Sequence, residues 1–294
     1  MIPRGLTFTA AILILLILAI IMGSIVWGGA GTITWDFLSS PPEDGMEGGG
    51  VFPAIFGTVA LVLLMVIAVV PIGVMTAIYM QEYTSPDSRL TRLIRVAINN
   101  LAGVPSIVFG LFGLGFFIGF IGGGLDSLFF EGSGPVWGQP AIIWAASTLA
   151  LLTLPVVIVS TEEALKTIPR ELKEASYALG GTRLQTIWRV IIPQAMPGIF
   201  TGAILAISRG AGEVAPIMFT GAAYYLPYLP TKLNDQFMEL GYHIYVMATQ
   251  SPDIEATKPI LFGTVLVLLL LTFALNSVAV LIRSRMRKSR SHAA

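Results

Sequence analysis

Six stretches of this chain are so long and so apolar that they leave it few ways to fold. They run approximately over residues 6–27, 55–80, 101–121, 141–161, 195–225 and 259–282. About 20 apolar residues in a helix cross the ~30 Å hydrocarbon core of a bilayer. No water in that core satisfies a backbone N–H or C=O, so a spanning segment must close its own hydrogen bonds as a helix. The expectation is an all-α integral membrane protein with six transmembrane helices. Composition agrees, with 55% hydrophobic residues, 12% charged residues and a mean hydropathy of +0.81, about half the charge of a soluble domain. The first run also has a reading as a signal peptide, since Arg4 precedes it and glycines follow. It exceeds the usual 7–15 residues of such a signal, so it reads as a span.

The basic residues orient these spans, because lysine and arginine concentrate on the cytoplasmic side. With the amino terminus inside, Arg4, then Arg89, Arg92 and Arg95, then Lys166, Arg170, Lys173, Arg183 and Arg189, and finally Arg283, Arg285, Arg287, Lys288 and Arg290 are cytoplasmic. That is fourteen of 17. Only Lys232 and Lys258 fall outside, where ten acids gather: Asp36, Glu43, Asp44, Glu47, Asp126, Glu131, Asp235, Glu239, Asp253 and Glu255. Zero net charge gives no reason to expect nucleic acid. The absence of cysteine excludes disulfides and thiolate metal sites. His243 and His292 are far apart and read as solvated surface residues, so neither a metal site nor a cofactor is expected.

One polar island, residues 174–193, interrupts the apolar runs on the cytoplasmic side. Such a segment must lie outside hydrocarbon, as a surface for a partner to read. Pro169 suits a first helical turn, and Gly180 with Gly181 supplies the left-handed position that ends a helix. Thr182 and Gln185 have the spacing of a capping box that starts a second helix. On the first helix Leu172, Ala175, Ser176 and Leu179 form an apolar stripe at i, i+3, i+4 and i+7, flanked by Glu171, Lys173 and Glu174.

Within the fifth span Arg209 and Glu213 stand four apart, which would put them on one helix face. An intramembrane arginine costs roughly 2.5–3.5 kcal/mol on insertion scales and therefore faces protein or water. With the helix entering near Ala195, Arg209 would lie about 21 Å in. Two readings stay open: an internal salt bridge, or an anion contact on a pathway with Glu213 holding the guanidinium. Ser208 is counted with this pair. Elsewhere, residues 45–50 and 122–124 read as flexible external turns, and Pro71 and Pro155 as kinks in the second and fourth spans. Tyr224, Tyr225 and Tyr228 read as an interfacial belt where the fifth span leaves the bilayer. The basic tail serves topology or anionic lipid.

The island resembles the cytoplasmic motif of importer permeases of the ATP-binding-cassette class, written EAA, three residues, G, nine residues, I-x-L-P. Glu174, Ala175 and Ser176 stand for EAA, Gly180 for the glycine, and Val190, Ile192 and Pro193 for the ending. Residues 77–114 and 207–222 look like the phosphate-specific permease family called PstA. That family usually shows G-E-T where this chain has Gly212, Glu213 and Val214, which removes one hydroxyl. The resemblance implies a type I importer (MetI-like) core with a cytoplasmic coupling helix. It divides the chain into a first helix and external loop (1–50), a permease domain (51–285, coupling segment 169–193) and a basic tail (286–294). It implies a non-catalytic subunit in a bacterial or archaeal plasma membrane, with both termini cytoplasmic. Its expected partners are membrane lipids, a PstB-like ATPase dimer, a PstC-like homologous permease and a PstS-like external phosphate-binding protein. The ATPase would be met by Leu172, Glu174, Ala175, Ser176, Leu179 and Gly180, and the phosphate route would carry Arg209 and Glu213. Nothing in the sequence matches a G-x-x-x-x-G-K-[ST] nucleotide loop. A permease for molybdate or sulfate, or an ion-driven carrier or channel, are the alternatives; the last leaves the EAA-like helix unexplained.

The charge asymmetry is directly testable because the chain lacks cysteine. Gly45→Cys should react with an impermeant maleimide from outside the cell, and Ser88→Cys only after the membrane is opened. The opposite labelling pattern would overturn the orientation.

Overall fold

A computed structural model describes residues 2–46, 48–85, 88–132 and 134–291; Glu47 and His292 of the sequence analysis lie outside these. In chain order, α1 (Ile2–Gly29) is followed by the short α2 (Trp35–Ser39) and a hairpin of β1 (Pro42–Glu43) with β2 (Gly48–Gly49). Then come α3 (Phe52–Ile78), α4 (Arg89–Ala102), α5 (Ser106–Phe112) and α6 (Gly123–Phe129). The rest are α7 (Ile142–Lys166), α8 (Arg170–Ala178), α9 (Arg183–Thr186), α10 (Ile192–Gly210), α11 (Leu240–Gln250) and α12 (Ile254–Ser291). Three π-helical stretches, Tyr79–Tyr83, Gly113–Gly122 and Ile187–Ile191, extend α3, join α5 to α6 and join α9 to α10. Among the described residues six helices are long and apolar enough to cross a membrane, as the apolar runs predict.

The ends of those helices differ from the expectation. The third span runs Ser106–Phe129, not 101–121. Its start is set back because Gly103 and Pro105 separate it from α4, an amphipathic helix the apolar count missed. Its end is extended because Gly122–Gly124 are helical instead of a flexible turn. There Asp126 accepts hydrogen bonds from the N–H groups of Val136, Trp137 and Gly138 at 2.7–3.0 Å, and a Cβ on Gly122 would strike the Trp137 carbonyl. The fifth span runs Arg183–Gly210 instead of 195–225. Tyr224, Tyr225 and Tyr228 therefore lie in the following loop. The glycines at 45–50 likewise belong to the hairpin. Gly49 has φ +76 and sits against the Pro41 carbonyl where no side chain fits. Pro71 and Pro155 lie inside unbroken helices.

The chain forms two compact units. The first comprises residues 1–57, 224–229 and 238–271. Phe37, Val51, Ala54, Met238, Leu240 and Val267 make its core, and Met46, Val246 and Met247 a second cluster. Thr34 caps α2 by accepting from the Phe37 N–H at 3.1 Å, and the Tyr225 hydroxyl donates to the Pro42 carbonyl at 3.0 Å. His243 is buried here, 2% exposed, which corrects the expectation of a solvated residue. It sits on α11, whose first turn is capped by the Glu239 carboxylate accepting from the Tyr242 N–H at 2.7 Å.

The second unit comprises residues 58–223, 230–237 and 272–294. Its centre is α7 against α10. A Cβ on Gly198 would collide with Ala164, and one on Gly202 with Ser160. The two glycines and their two small partners are each four apart, so the backbones meet along a small-residue seam, the usual close packing of helices in lipid. Ile158, Leu165, Ile187, Ile191, Ala195 and Ile199 fill the core beside the seam.

Burial of His243 has a measurable consequence. Loss of hydration lowers its pKa from 6.5 to about 4. Above pH 6.5 it is neutral folded or unfolded. As pH falls toward 4 only the unfolded chain gains the proton, so stability declines by up to about 3 kcal/mol. His243→Leu should therefore lose less thermal stability between pH 7 and pH 4.5 than the parent in detergent. Parallel pH profiles for the two proteins would contradict this.

Candidate functional site

The island folds as its punctuation dictates. Pro169 precedes α8 with an extended ψ of 137°, outside the helix and not in its first turn as the sequence suggested. At the other end Gly180 takes φ +81. Its N–H bonds the Tyr177 carbonyl at 2.9 Å, and the Gly181 N–H bonds that of Ser176 at 3.0 Å. These two bonds form a Schellman closure, in which one left-handed residue satisfies the last carbonyls. Gly181 needs no positive φ. Thr182 then caps α9 reciprocally with Gln185, at 3.3 Å and 2.9 Å.

The expected stripe is assembled and open. Leu172, Ala175, Ser176, Leu179 and Gly180 line one side of a recess of about 480 Å³, with Gln185, Arg189 and Val190 opposite. Leu179 is 90% exposed and Leu172 40%, while Glu174 stands exposed beside them. Exposed leucines beside charged side chains are the kind of surface a protein partner can cover.

What fastens this short helix was not visible in the sequence. Lys173 pairs with Glu82 on the π-helical end of α3. Arg183 lies over the Tyr83 ring at 4.5 Å. The Ser176 and Thr186 hydroxyls share a hydrogen bond of 2.8 Å. The partners of the ion pair lie 91 residues apart, beyond any local periodicity. The only available hint was an acid, Glu82, closing an otherwise apolar run. At the same end of the bundle Arg95 of α4 pairs with the buried Glu162 of α7 at 3.4 Å.

Arg209 sits 26 residues beyond Arg183, about 39 Å along the helical axis. It occupies the last turn of α10. Glu213 lies past the helix end, so the pair does not share a helix face as its spacing suggested. The Gly210 to Gly212 stretch and Pro216 stop the helix first. The chain still turns back enough for Nε of Arg209 to reach Oε1 of Glu213 at 3.4 Å. Both groups remain partly exposed, and the guanidinium also faces the negative end of the helix dipole. Ser208, exposed beside Arg209, accepts from the Asn276 amide of α12 at 3.1 Å. The arrangement can offer an oxyanion a planar fork and a hydroxyl.

With this geometry in hand, known proteins are informative. Residues 69–288 match the family described as binding-protein-dependent transport system inner membrane component. A probable ABC transporter permease protein, YqgI of Bacillus subtilis, is 33% identical over 265 residues, covering 86% of this chain and 85% of that one. The phosphate transport system permease protein PstA 1 of Mycobacterium tuberculosis is 40% identical over 170 residues, which are 58% of this chain and 50% of that protein. Among solved structures, a bacterial alginate ABC transporter bound to its periplasmic protein superposes with a TM-score of 0.65 at 17% identity, over 95% of this chain and 94% of that one. At that identity the likeness shows a shared fold.

Proposed function

The chain belongs to the binding-protein-dependent transport system inner membrane component family, and from that premise we propose that it is a permease subunit of an ATP-driven phosphate importer. The observation that carries this is α8: an exposed helix with an apolar stripe and a left-handed glycine closing its C-terminus, fastened between the fourth and fifth spans of a multi-pass membrane protein. Such a helix has no use in a carrier that works alone. It fits the groove of a partner ATPase, the PstB-like dimer, which hydrolyses ATP while this subunit only moves. Phosphate as cargo is supported by the mycobacterial relative's name and by the Arg209 fork.

In this reading residues 51–285 form the permease domain, and a PstC-like permease completes the pathway. A PstS-like binding protein delivers the anion outside. The ten external acids would repel free phosphate, which favours delivery over open diffusion. Both termini and the tail are cytoplasmic, and Leu172, Glu174, Ala175, Ser176, Leu179 and Gly180 form the docking face. ATPase closure displaces α8 and switches the spans between outward and inward access. At the other end of α10, Arg209 and Ser208 contact the passing anion and Glu213 limits how tightly it is held.

The deciding experiment is ATP-dependent uptake in vesicles holding this chain with its ATPase, second permease and binding protein. Phosphate should accumulate, whereas accumulation of sulfate or molybdate alone would reassign the cargo. Gly180→Val forces a β-branched residue into φ +81, at a cost of about 1–2 kcal/mol. It should reach the membrane yet lose the ATPase; normal co-purification and uptake would remove α8 from the docking role.

Arg209→Lys keeps the charge but loses the fork, and should reduce uptake roughly tenfold, the worth of one charge-assisted hydrogen bond. Arg209→Glu should abolish uptake. The swap Arg209→Glu with Glu213→Arg should stay inactive although inserted, because it moves the guanidinium off the helix end. A fully active swap would reduce the pair to a structural salt bridge.

A further inference from the structure

We infer that a recess beside Arg283 is a second oxyanion site, for phosphate or a phosphate headgroup, on the α8 side of Arg209. Two cross-bridges within the second unit locate it. The Asn276 amide of α12 donates to the Ser208 hydroxyl at 3.1 Å, and Nη1 of Arg283 donates to the Thr201 hydroxyl at 2.9 Å. On each helix the bridging residues stand seven apart, and the earlier residue of α10 meets the later residue of α12. The two helices therefore run antiparallel here, with Arg283 about 10 Å beyond Asn276 toward the basic tail. Thr201 precedes Arg209 by eight residues, so the recess lies about 12 Å back along α10, toward the end where that helix joins α9 and α8.

The recess measures about 320 Å³ and is lined by Pro197, Gly198, Thr201, Arg283 and Ser284. A water takes up about 30 Å³ in the liquid, so a tetrahedral oxyanion fits with water around it. Thr201 donates its own proton to the Pro197 carbonyl at 2.8 Å, and toward Arg283 it can only accept. That contact fixes one edge of the guanidinium and leaves its other N–H groups free to bind. A hydroxyl aims a cation without neutralising it, and among the described residues no carboxylate pairs with Arg283. Arg209 differs, because Glu213 already offsets its charge. A planar fork held in place without a counter-charge is suited to bidentate contact with an oxyanion, and Ser284 adds a hydroxyl donor. Two sources present such oxygens: free phosphate that has left Arg209, and the phosphate of a lipid headgroup. The free-phosphate source rests on the route proposed for Arg209 and makes Arg283 its next stop, since successive sites of moderate affinity keep an ion moving.

The test treats the full chain, in a maltoside detergent that carries no phosphate, with phenylglyoxal and follows each arginine by mass spectrometry. Inorganic phosphate at ten times its dissociation constant should slow modification of Arg283 about tenfold and leave the exposed Arg285 unchanged. Protection by inorganic phosphate assigns the free anion, and protection by added phosphatidylglycerol alone assigns the headgroup; either result supports the site. Thr201→Val, which no longer aims the guanidinium, should raise the concentration of that probe needed for half-protection on the order of tenfold, and Thr201→Ser should restore it. Arg209→Glu, expected to abolish uptake, should leave Arg283 protected, so this site and that route fail separately. Equal reactivity of Arg283 and Arg285 under every condition, a Thr201→Val chain protected as well as the parent, or protection lost in Arg209→Glu would each overturn the site.

Discussion

The rest of the second unit depends on the seam between α7 and α10. Lipid tails are as apolar as leucine, so burial alone does not draw two membrane helices together. Close van der Waals approach does, and it requires that the facing residues be small. Gly198 and Gly202 against Ala164 and Ser160 supply that approach. The chain between the two helices holds α8, α9 and the π-helical stretch that joins α9 to α10. Fixing α7 against α10 therefore fixes where α8 emerges at one end and where Arg209 stands at the other. Beside that pair an apolar groove of about 620 Å³ opens between α3 and α10.

Much of this was legible in the sequence, and the part that was legible is the part governed by local rules. Six helices follow from the length of the apolar runs. The left-handed Gly180 and the reciprocal Thr182–Gln185 cap follow from residue types at fixed offsets, and both are present. The ends of the spans were less readable, since hydropathy says where lipid is tolerated and not where hydrogen bonds stop. The fifth span shows this well. Its apolar character continues past Gly210, but glycine and proline end the helix, and the tyrosines expected at the membrane edge belong to a loop. His243 failed for a different reason, because burial of a single polar residue on α11 is decided by packing that no periodicity reports. The bond from Glu82 to Lys173 is wholly non-local, and only the fold reveals it.

Electrostatics divide the site into two kinds of charge. Glu82 and Glu162 are largely buried and paired across elements, so their value lies in fixing which helices touch. Arg209 and Glu213 are partly exposed at a helix end, where solvent weakens the attraction between them. A weakly held guanidinium can exchange one oxyanion for another, which is what the anion contact proposed for Arg209 would require.

The first span reaches the opposite limit from α7. None of its apolar window is buried within the chain, whereas two thirds of the α7 window is. Shortening a leucine to alanine in α7 would open a cavity, but on α1 the same change only reduces contact with the surroundings of the helix. Sequence drift should therefore be almost free along α1 provided it stays apolar, and stop at Gly28 and Gly29, which meet Phe262 with no room for a side chain. Two helices of similar composition thus answer to different selection, one to the solvent it dissolves in and the other to the shape of its neighbours.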